Sequence, residues 1–184
     1  MVVCRVKIAV VFTFLSSMNN SIEIRRATES DLERLTEIYS HYVITSAVTF
    51  DTKPFAPEER RDWFHQYNNN ALYILLVAYL DGKPIGYASS SQFRQKPAYD
   101  RSVETTIYLD PDFGGRGFGR QLYSRLLQDL ETAGTHRCYG IITLPNDASL
   151  ALHTSLGFKE VGYLTEVGYK FGKYWDNVWT EKTA

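Results

Sequence analysis

The chain reads as a single mixed α/β (α+β) domain, with a central sheet flanked by helices. Three observations predict this. Short segments alternate apolar and polar residues with the two-residue period of a strand. Two such segments are joined by Asp81-Gly82 as a hairpin. Another runs through a glycine-rich turn into an amphipathic helix and on to a further strand, and hairpins mixed with strand–helix–strand units imply a mixed sheet with helices packed on it. At 184 residues the domain is large enough for a proper core. No linker, repeat or low-complexity stretch divides it.

Ile22 to Arg26 reads as the first strand. Thr28-x-x-Asp31 has the form of a capping box with Asp in place of Glu, and opens a helix carrying Leu32, Leu35, Ile38, Tyr39 and Tyr42 at helical spacing. Thr45 to Phe55 reads as a loop. Pro57 starts a second helix, with Glu58 and Glu59 in the first turn where the dipole favours acids. Tyr73 to Leu80 and Pro84 to Phe93 are the arms of the hairpin. In the next strand Val103, Thr105, Ile107 and Leu109 alternate with Glu104, Thr106 and Tyr108, and Asp110-Pro111-Asp112 breaks it. Phe118, Leu122, Leu126 and Leu130 then recur every four residues, with Tyr123 and Leu127 beside them, until Gly134 ends the helix. A strand near Arg137 to Leu144, a short helix over Asn146 to Leu156, and one or two closing strands between Lys159 and Trp179 complete the order.

The stretch Gly114-Gly115-Arg116-Gly117-Phe118-Gly119-Arg120 carries the most information about function. Glycines at a helix entrance let main-chain N–H groups face outward, the helix dipole favours negative charge there, and Arg116 and Arg120 add to it. A phosphate ligand is expected. A nucleoside-triphosphate loop needs a Gly-Lys-Ser/Thr ending, which is absent. A dinucleotide fingerprint needs G-x-G-x-x-G and an acid ending the next strand, whereas this chain has Gly115-x-Gly117-x-Gly119 and Pro145. The third option is the pyrophosphate loop of acyl-CoA-dependent N-acetyltransferases, the GNAT superfamily, which this segment resembles. Its pattern is Gln/Arg-x-x-Gly-x-Gly/Ala. The two last glycines fit and the first position departs, which removes one side-chain contact but no main-chain donor. A tight strand-to-helix turn without ligand is the bland alternative.

Further segments sharpen the resemblance: Ile24-Arg25-Arg26-Ala27-Thr28, the run from His41-Tyr42 to Val48 and Phe50, Ala98-Tyr99-Asp100, Glu104-x-Thr106-x-Tyr108, Leu144-Pro145-Asn146-Asp147 and Leu156-Gly157-Phe158. In this order they resemble the phosphinothricin and methionine sulfoximine N-acetyltransferases, from about Ile22 to Trp179. The resemblance implies a GNAT fold with a mostly antiparallel twisted sheet, acetyl-CoA as co-substrate, and direct acetyl transfer to the amine of a small amino-acid-like molecule. It also implies a homodimer, for which the aromatic segment Tyr169 to Trp175 is either interface or core. Herbicide resistance would follow from such an activity and is not itself read from the residues.

Acetylating an amine requires a proton acceptor, since an α-amine with a pKa of about 8 is only about one-tenth free base at pH 7. Glu104 is the first candidate base, acting directly or through a water. A carboxylate in mid-strand is by itself usually a solvated sheet face, but this one matches the catalytic Glu of the resembled family. His153 matches a family histidine on the short helix, as proton shuttle or as orienter; its ordinary reading is structural, held by Ser149 four residues earlier. The resemblance assigns main-chain groups of Ile107, Tyr108 and Leu109 to the pantetheine and thioester, and Gly114 to Arg120 (with Gly115, Arg116, Gly117, Phe118 and Gly119) to the pyrophosphate. Asn146 is assigned to the pantetheine arm, and it can equally cap the helix it precedes. An acceptor with carboxylate and phosphinate groups needs cations; Arg94, Lys96 and Tyr99 are the candidates, with Tyr42 and Phe50 as pocket wall.

Composition limits the other classes. Twenty basic and 21 acidic residues are mixed along the chain for a net charge of −1, which does not suit nucleic acid. Cys4 and Cys138 make neither a disulfide framework nor a zinc spacing, and no metal cluster is visible. Residues 1–20 are set apart. Arg5 and Lys7 precede the apolar run Ile8 to Leu15, which looks like a short secretory signal but lacks a clear cleavage site and is far below the ~20 residues of a membrane span. They are read as an upstream extension with Met18 as the natural start, so that the domain is 21–184 and the protein cytoplasmic, where coenzyme A is found. Two other readings stay open: an acetyltransferase acting on a protein or peptide amine, and an acyl-CoA-binding sensor without turnover.

Overall fold

The computed structural model describes residues 22–68 and 70–184. The proposed N-terminal extension lies outside them. Among the described residues seven strands form one sheet, in the order β1-β2-β3-β4-β5-β7-β6. They are β1 (Glu23–Arg26), β2 (Leu75–Leu80), β3 (Lys83–Gln92), β4 (Ser102–Leu109), β5 (Arg137–Thr143), β6 (Lys159–Lys170) and β7 (Lys173–Thr183). Every neighbouring pair is antiparallel except β4 and β5. The mixed, mostly antiparallel sheet expected from the sequence is therefore present, and the segment after Phe158 supplies two strands.

Helices α1 (Leu32–Thr45) and α2 (Arg61–His65) cover one face, while α3 (Phe118–Thr132) and α4 (Asp147–Ser155) cover the other. The second helix is short because Pro57–Arg60 forms a 3-10 turn before it. Strand β2 faces both layers. Leu75, Val77 and Tyr79 meet Leu32, Leu35, Ile38 and Phe64 on one side, and Leu76 and Ala78 meet the α3 layer on the other. This two-sided burial is why Leu75-Leu76-Val77-Ala78-Tyr79 shows no polar alternation.

On α3 the four-residue repeat places Phe118, Leu122, Tyr123, Leu126 and Leu130 in the core, none more than 1 % exposed. Truncating a leucine packed this way to alanine typically costs about 2–5 kcal/mol, so this stripe fixes the helix against the sheet. That matters because the N-terminus of α3 forms part of the site. At the helix entrance Gly115 and Gly117 have φ of +73° and +81°, the left-handed region that a side chain resists. The chain thereby leaves β4 and enters α3 with Gly117 as N-cap.

Candidate active site

Strand β4 is paired with β3 along its length, from Gly86 opposite Leu109 to Gln92 opposite Val103. Its pairing with β5 is short: Ser102 with Arg137, Val103 with Cys138 and Glu104 with Tyr139. Beyond Glu104 the two strands part. Main-chain groups of Thr105 to Leu109 then face a gap instead of a ladder partner, and a cavity of about 1140 Å³ occupies it. Ile107, Tyr108, Leu109, Gly114, Gly115, Gly117, Gly119, Arg120 and Asn146 line this cavity together with Tyr42, Phe50, Glu104 and His153. Residues from five separate segments thus meet where a parallel pair of strands ends.

Glu104 is half-buried and forms no hydrogen bond or ion pair with any described side chain. Burial raises its carboxyl above the usual range, and the charge of Arg94 partly opposes the rise. A raised carboxylate without a partner is poised to take up a proton.

His153 is 5 % exposed. Its Nδ1 lies 2.8 Å from the Ser149 carbonyl, which can only accept, so this nitrogen carries the hydrogen. Its Nε2 lies 3.1 Å from the Tyr123 hydroxyl, which in turn is 2.7 Å from Thr105 Oγ1. Burial depresses the imidazole's pKa, with the Ser149 carbonyl opposing, so the ring is neutral at pH 7. The ring fits there because residue 140 on β5 is glycine; a Cβ would stand 2.6 Å from Nε2. Cys138 is fully buried and its thiol is pushed up to about 12, which removes it as a nucleophile.

The glycine-rich turn presents free donors. Main-chain N–H groups from Gly115 to Arg120 enter no turn or loop hydrogen bond, whereas Gly114 N–H reaches Pro111 O at 3.3 Å. They open α3, where an anion is favoured. Arg120 lines the cavity; Arg116 instead stands over the Phe113 ring, 5.4 Å from its centroid. Phe118 sits in the core, so its part in a cofactor site is limited to its main chain. Asn146 caps α4 through Oδ1, which accepts from Ser149 N–H at 3.1 Å, and also lines the cavity.

The opposite wall comes from α1 and the loop after it. Tyr42 donates its hydroxyl to Leu109 O at 2.7 Å. Tyr39 bonds Thr49 at 2.6 Å and also Asp51. The loop is tied down by Lys170 of β6, whose Nζ donates to Ser46 O and Thr49 O at 2.8 Å each. Arg94, Lys96 and Tyr99 lie on the exposed segment after β3 and outside the cavity lining; Arg94 stacks near Phe93 and Trp179 and reaches Glu104 only through its charge. Sequence reasoning missed Arg60, Trp63, Tyr67 and Tyr87, which wall the far end. The one available signal was a Trp and a Tyr at i, i+4 after the Glu-Glu-Arg-Arg run.

The strand split thus has a glycine-rich helix entrance on one side and an unpaired carboxylate on the other. The model of the acetyltransferase (GNAT) domain family matches residues 24–179. The chain belongs to that family. This GNAT chain is 48 % identical over 164 residues to a phosphinothricin N-acetyltransferase of Streptomyces coelicolor, covering 88 % of this chain and 95 % of that one. Among solved structures it is similar to a phosphinothricin acetyltransferase from Sinorhizobium meliloti in complex with acetyl-CoA, with a TM-score of 0.85, 32 % identity and 88 % of each chain covered. It is also similar to a ribosomal-protein-alanine N-acetyltransferase from Brucella melitensis, with a TM-score of 0.85, 34 % identity, and coverage of 88 % and 99 %. The protein is a GNAT-family N-acetyltransferase.

Proposed function

We propose that this GNAT enzyme transfers the acetyl group of acetyl-CoA directly to the amine of a small amino-acid-like acceptor such as phosphinothricin or methionine sulfoximine. The observation that carries this reading is the unpaired Glu104 carboxylate at the point where β4 and β5 separate. The α3 entrance holds the pyrophosphate, and Asn146 with the free edge of β4 holds the pantetheine arm. Glu104 takes the proton of the ammonium, directly or through a water, and the free amine attacks the thioester carbonyl. The C–N bond forms, the C–S bond breaks and coenzyme A leaves as the thiol. The second proton of the amine passes to the departing thiolate, while His153, neutral and fixed at both nitrogens, orients the Tyr123–Thr105 side of β4. Inertness of Cys138 favours transfer in a ternary complex over an acyl-enzyme.

The deciding experiment measures thiol release from acetyl-CoA with phosphinothricin, methionine sulfoximine, methionine sulfone, ordinary amino acids and a lysine or N-terminal alanine peptide. Turnover on one of the first three is expected. Turnover on a peptide alone would sink the small-amine reading and favour the protein-amine one, for which the Brucella relative's name speaks. Tight acetyl-CoA binding without any turnover would favour a sensor.

The assembly proposed is a homodimer in the cytoplasm. Val161, Tyr163, Val167, Tyr169, Phe171 and Tyr174 on the β6–β7 hairpin are each at least half exposed, an apolar set that a second copy would cover. Sedimentation equilibrium is expected to give twice the chain mass, and Tyr169→Glu to shift it towards one; a wild-type monomer at micromolar concentration rules this out. Among the described residues no helix is long and apolar enough to cross a membrane.

A further inference from the structure

The far end of the cavity holds a charge that the chemistry above does not use. Arg60, the last residue of the Pro57–Arg60 turn, is only 5 % exposed yet lines the cavity. Its guanidinium carbon lies 3.6 Å from the centroid of the Trp63 ring and 4.5 Å from that of Tyr39. A guanidinium has five N–H donors. Among the described residues this one donates from Nη1 to Leu35 O at 3.4 Å and also reaches the buried Tyr87 hydroxyl, which leaves most of its donors unused, and no carboxylate lies within ion-pair distance. The surrounding hydroxyls do not neutralise it. Burial pushes Tyr67 up to about 12, and raises Tyr87 and Tyr108 as well, against the opposing pull of the Arg60 charge. Ring stacking offsets part of the cost of burying a cation, but a buried charge without a counter-ion remains expensive.

The location fits an acceptor molecule. Tyr87 stands opposite Tyr108, and Ser91 opposite Glu104, in the β3–β4 register. The Arg60 end therefore lies four residues along β4 from the base, on the order of 13 Å at ~3.4 Å per residue. β4 and β5 part directly beyond Glu104, so the opening runs from the base towards the Arg60 end. An amine that reacts beside Glu104 can extend the rest of its molecule towards Arg60, which lines the same cavity.

We propose that Arg60 is the anion-recognition residue of the acceptor pocket, binding the distal oxyanion of an amino-acid-like amine. The assignment rests on the small-amine reading above and adds a substrate property to it: a negatively charged group at the end remote from the amine. Arginine suits the task better than lysine because its planar fork meets two oxygens at once while its faces stack on Trp63 and Tyr39.

Phosphinothricin and methionine sulfone test this as a pair, because they match in shape and differ in one distal charge. The full chain and its Arg60→Met and Arg60→Lys variants are assayed with both acceptors, together with the KM for acetyl-CoA and the melting temperature. Wild type is expected to favour phosphinothricin. In Arg60→Met that preference should fall by about tenfold to a hundredfold, the worth of a charge-assisted contact, with the acetyl-CoA KM unchanged. Arg60→Lys should lose part of it, and decides the matter if the Met variant does not fold. An equal fall on both acceptors, or an unchanged ratio in the Lys variant, makes Arg60 a structural residue and overturns the inference while the small-amine reading stands. Wild-type turnover on neither acceptor overturns both.

Discussion

Glu104→Gln lowers kcat/KM by about 10²- to 10⁴-fold with the best acceptor and leaves acetyl-CoA binding unchanged. The size follows from the role. The variant keeps the shape and the hydrogen-bonding capacity of the side chain but cannot take a proton from the ammonium. Selectivity for the acceptor step follows from place, since Glu104 sits at the strand split and the pyrophosphate donors sit at the α3 entrance. In wild type the acidic limb of the kcat/KM profile should lie above the ordinary carboxylate range, because burial raises this carboxyl. That limb should vanish in the variant. A loss below threefold, or an acidic limb that survives the substitution, would remove Glu104 as the base.

The same shift makes a stability statement with a definite sign. A carboxyl whose pKa is higher folded than unfolded binds its proton more tightly in the native state. Its contribution is fully present below the unfolded value, near 4.5, and is lost as pH rises through the folded one. At neutral pH the ionised, half-buried Glu104 thus works against the fold. Glu104→Gln should melt higher than wild type at pH 7 and at the same temperature well below pH 4. A catalytic group held at a cost to stability is expected where the fold serves the reaction rather than itself.

How much of this was written in the chain differs from residue to residue. The four-residue repeat on α3 and the alternation of β4 are local patterns, and both elements appear where the periodicity puts them. The position of Glu104 on the face of β4 opposite Val103 follows from the same alternation. The cavity itself does not, because it arises where β4 and β5 stop pairing, and no local pattern encodes where two distant strands diverge. Arg60 shows the other limit. In Glu58-Glu59-Arg60-Arg61 it looks like one more solvated charge, yet Trp63 folds over one side of it and Tyr39, from a helix twenty residues earlier, over the other. Arg94 and Lys96 show the opposite case: they stand just before the Glu104 strand in sequence, and in the fold the Pro97–Tyr99 turn leaves both exposed and outside the cavity lining.

Lys170 ties down the loop that forms the acceptor wall, and replacing it by methionine is expected to lower the melting temperature by about 5–10 °C. Lys170 lies in Gly168-Tyr169-Lys170-Phe171-Gly172, which in sequence is only a turn with a surface lysine. In the fold it is 4 % exposed and gives its ammonium to Ser46 O and Thr49 O. Burial lowers its pKa and the charge of Asp51 opposes the shift. Methionine keeps the stem and removes both donors. Thr49 is buried, so its carbonyl is left without a partner at about 1–3 kcal/mol, while the half-buried Ser46 carbonyl can partly recover with water. A total of about 2–3 kcal/mol, at ~2–4 °C per kcal/mol for a chain of this size, gives the stated range. The kinetic consequence should be one-sided. The segment Val48 to Asp51 forms cavity wall and holds Tyr39 through Thr49 and Asp51, so loosening it should raise KM for the acceptor and leave KM for acetyl-CoA unchanged. If the variant melts lower with both KM values intact, Lys170 stabilises the fold without shaping the acceptor pocket. If both rise together, the β6 strand steadies the whole cleft, and the acceptor wall is not separable from the cofactor side.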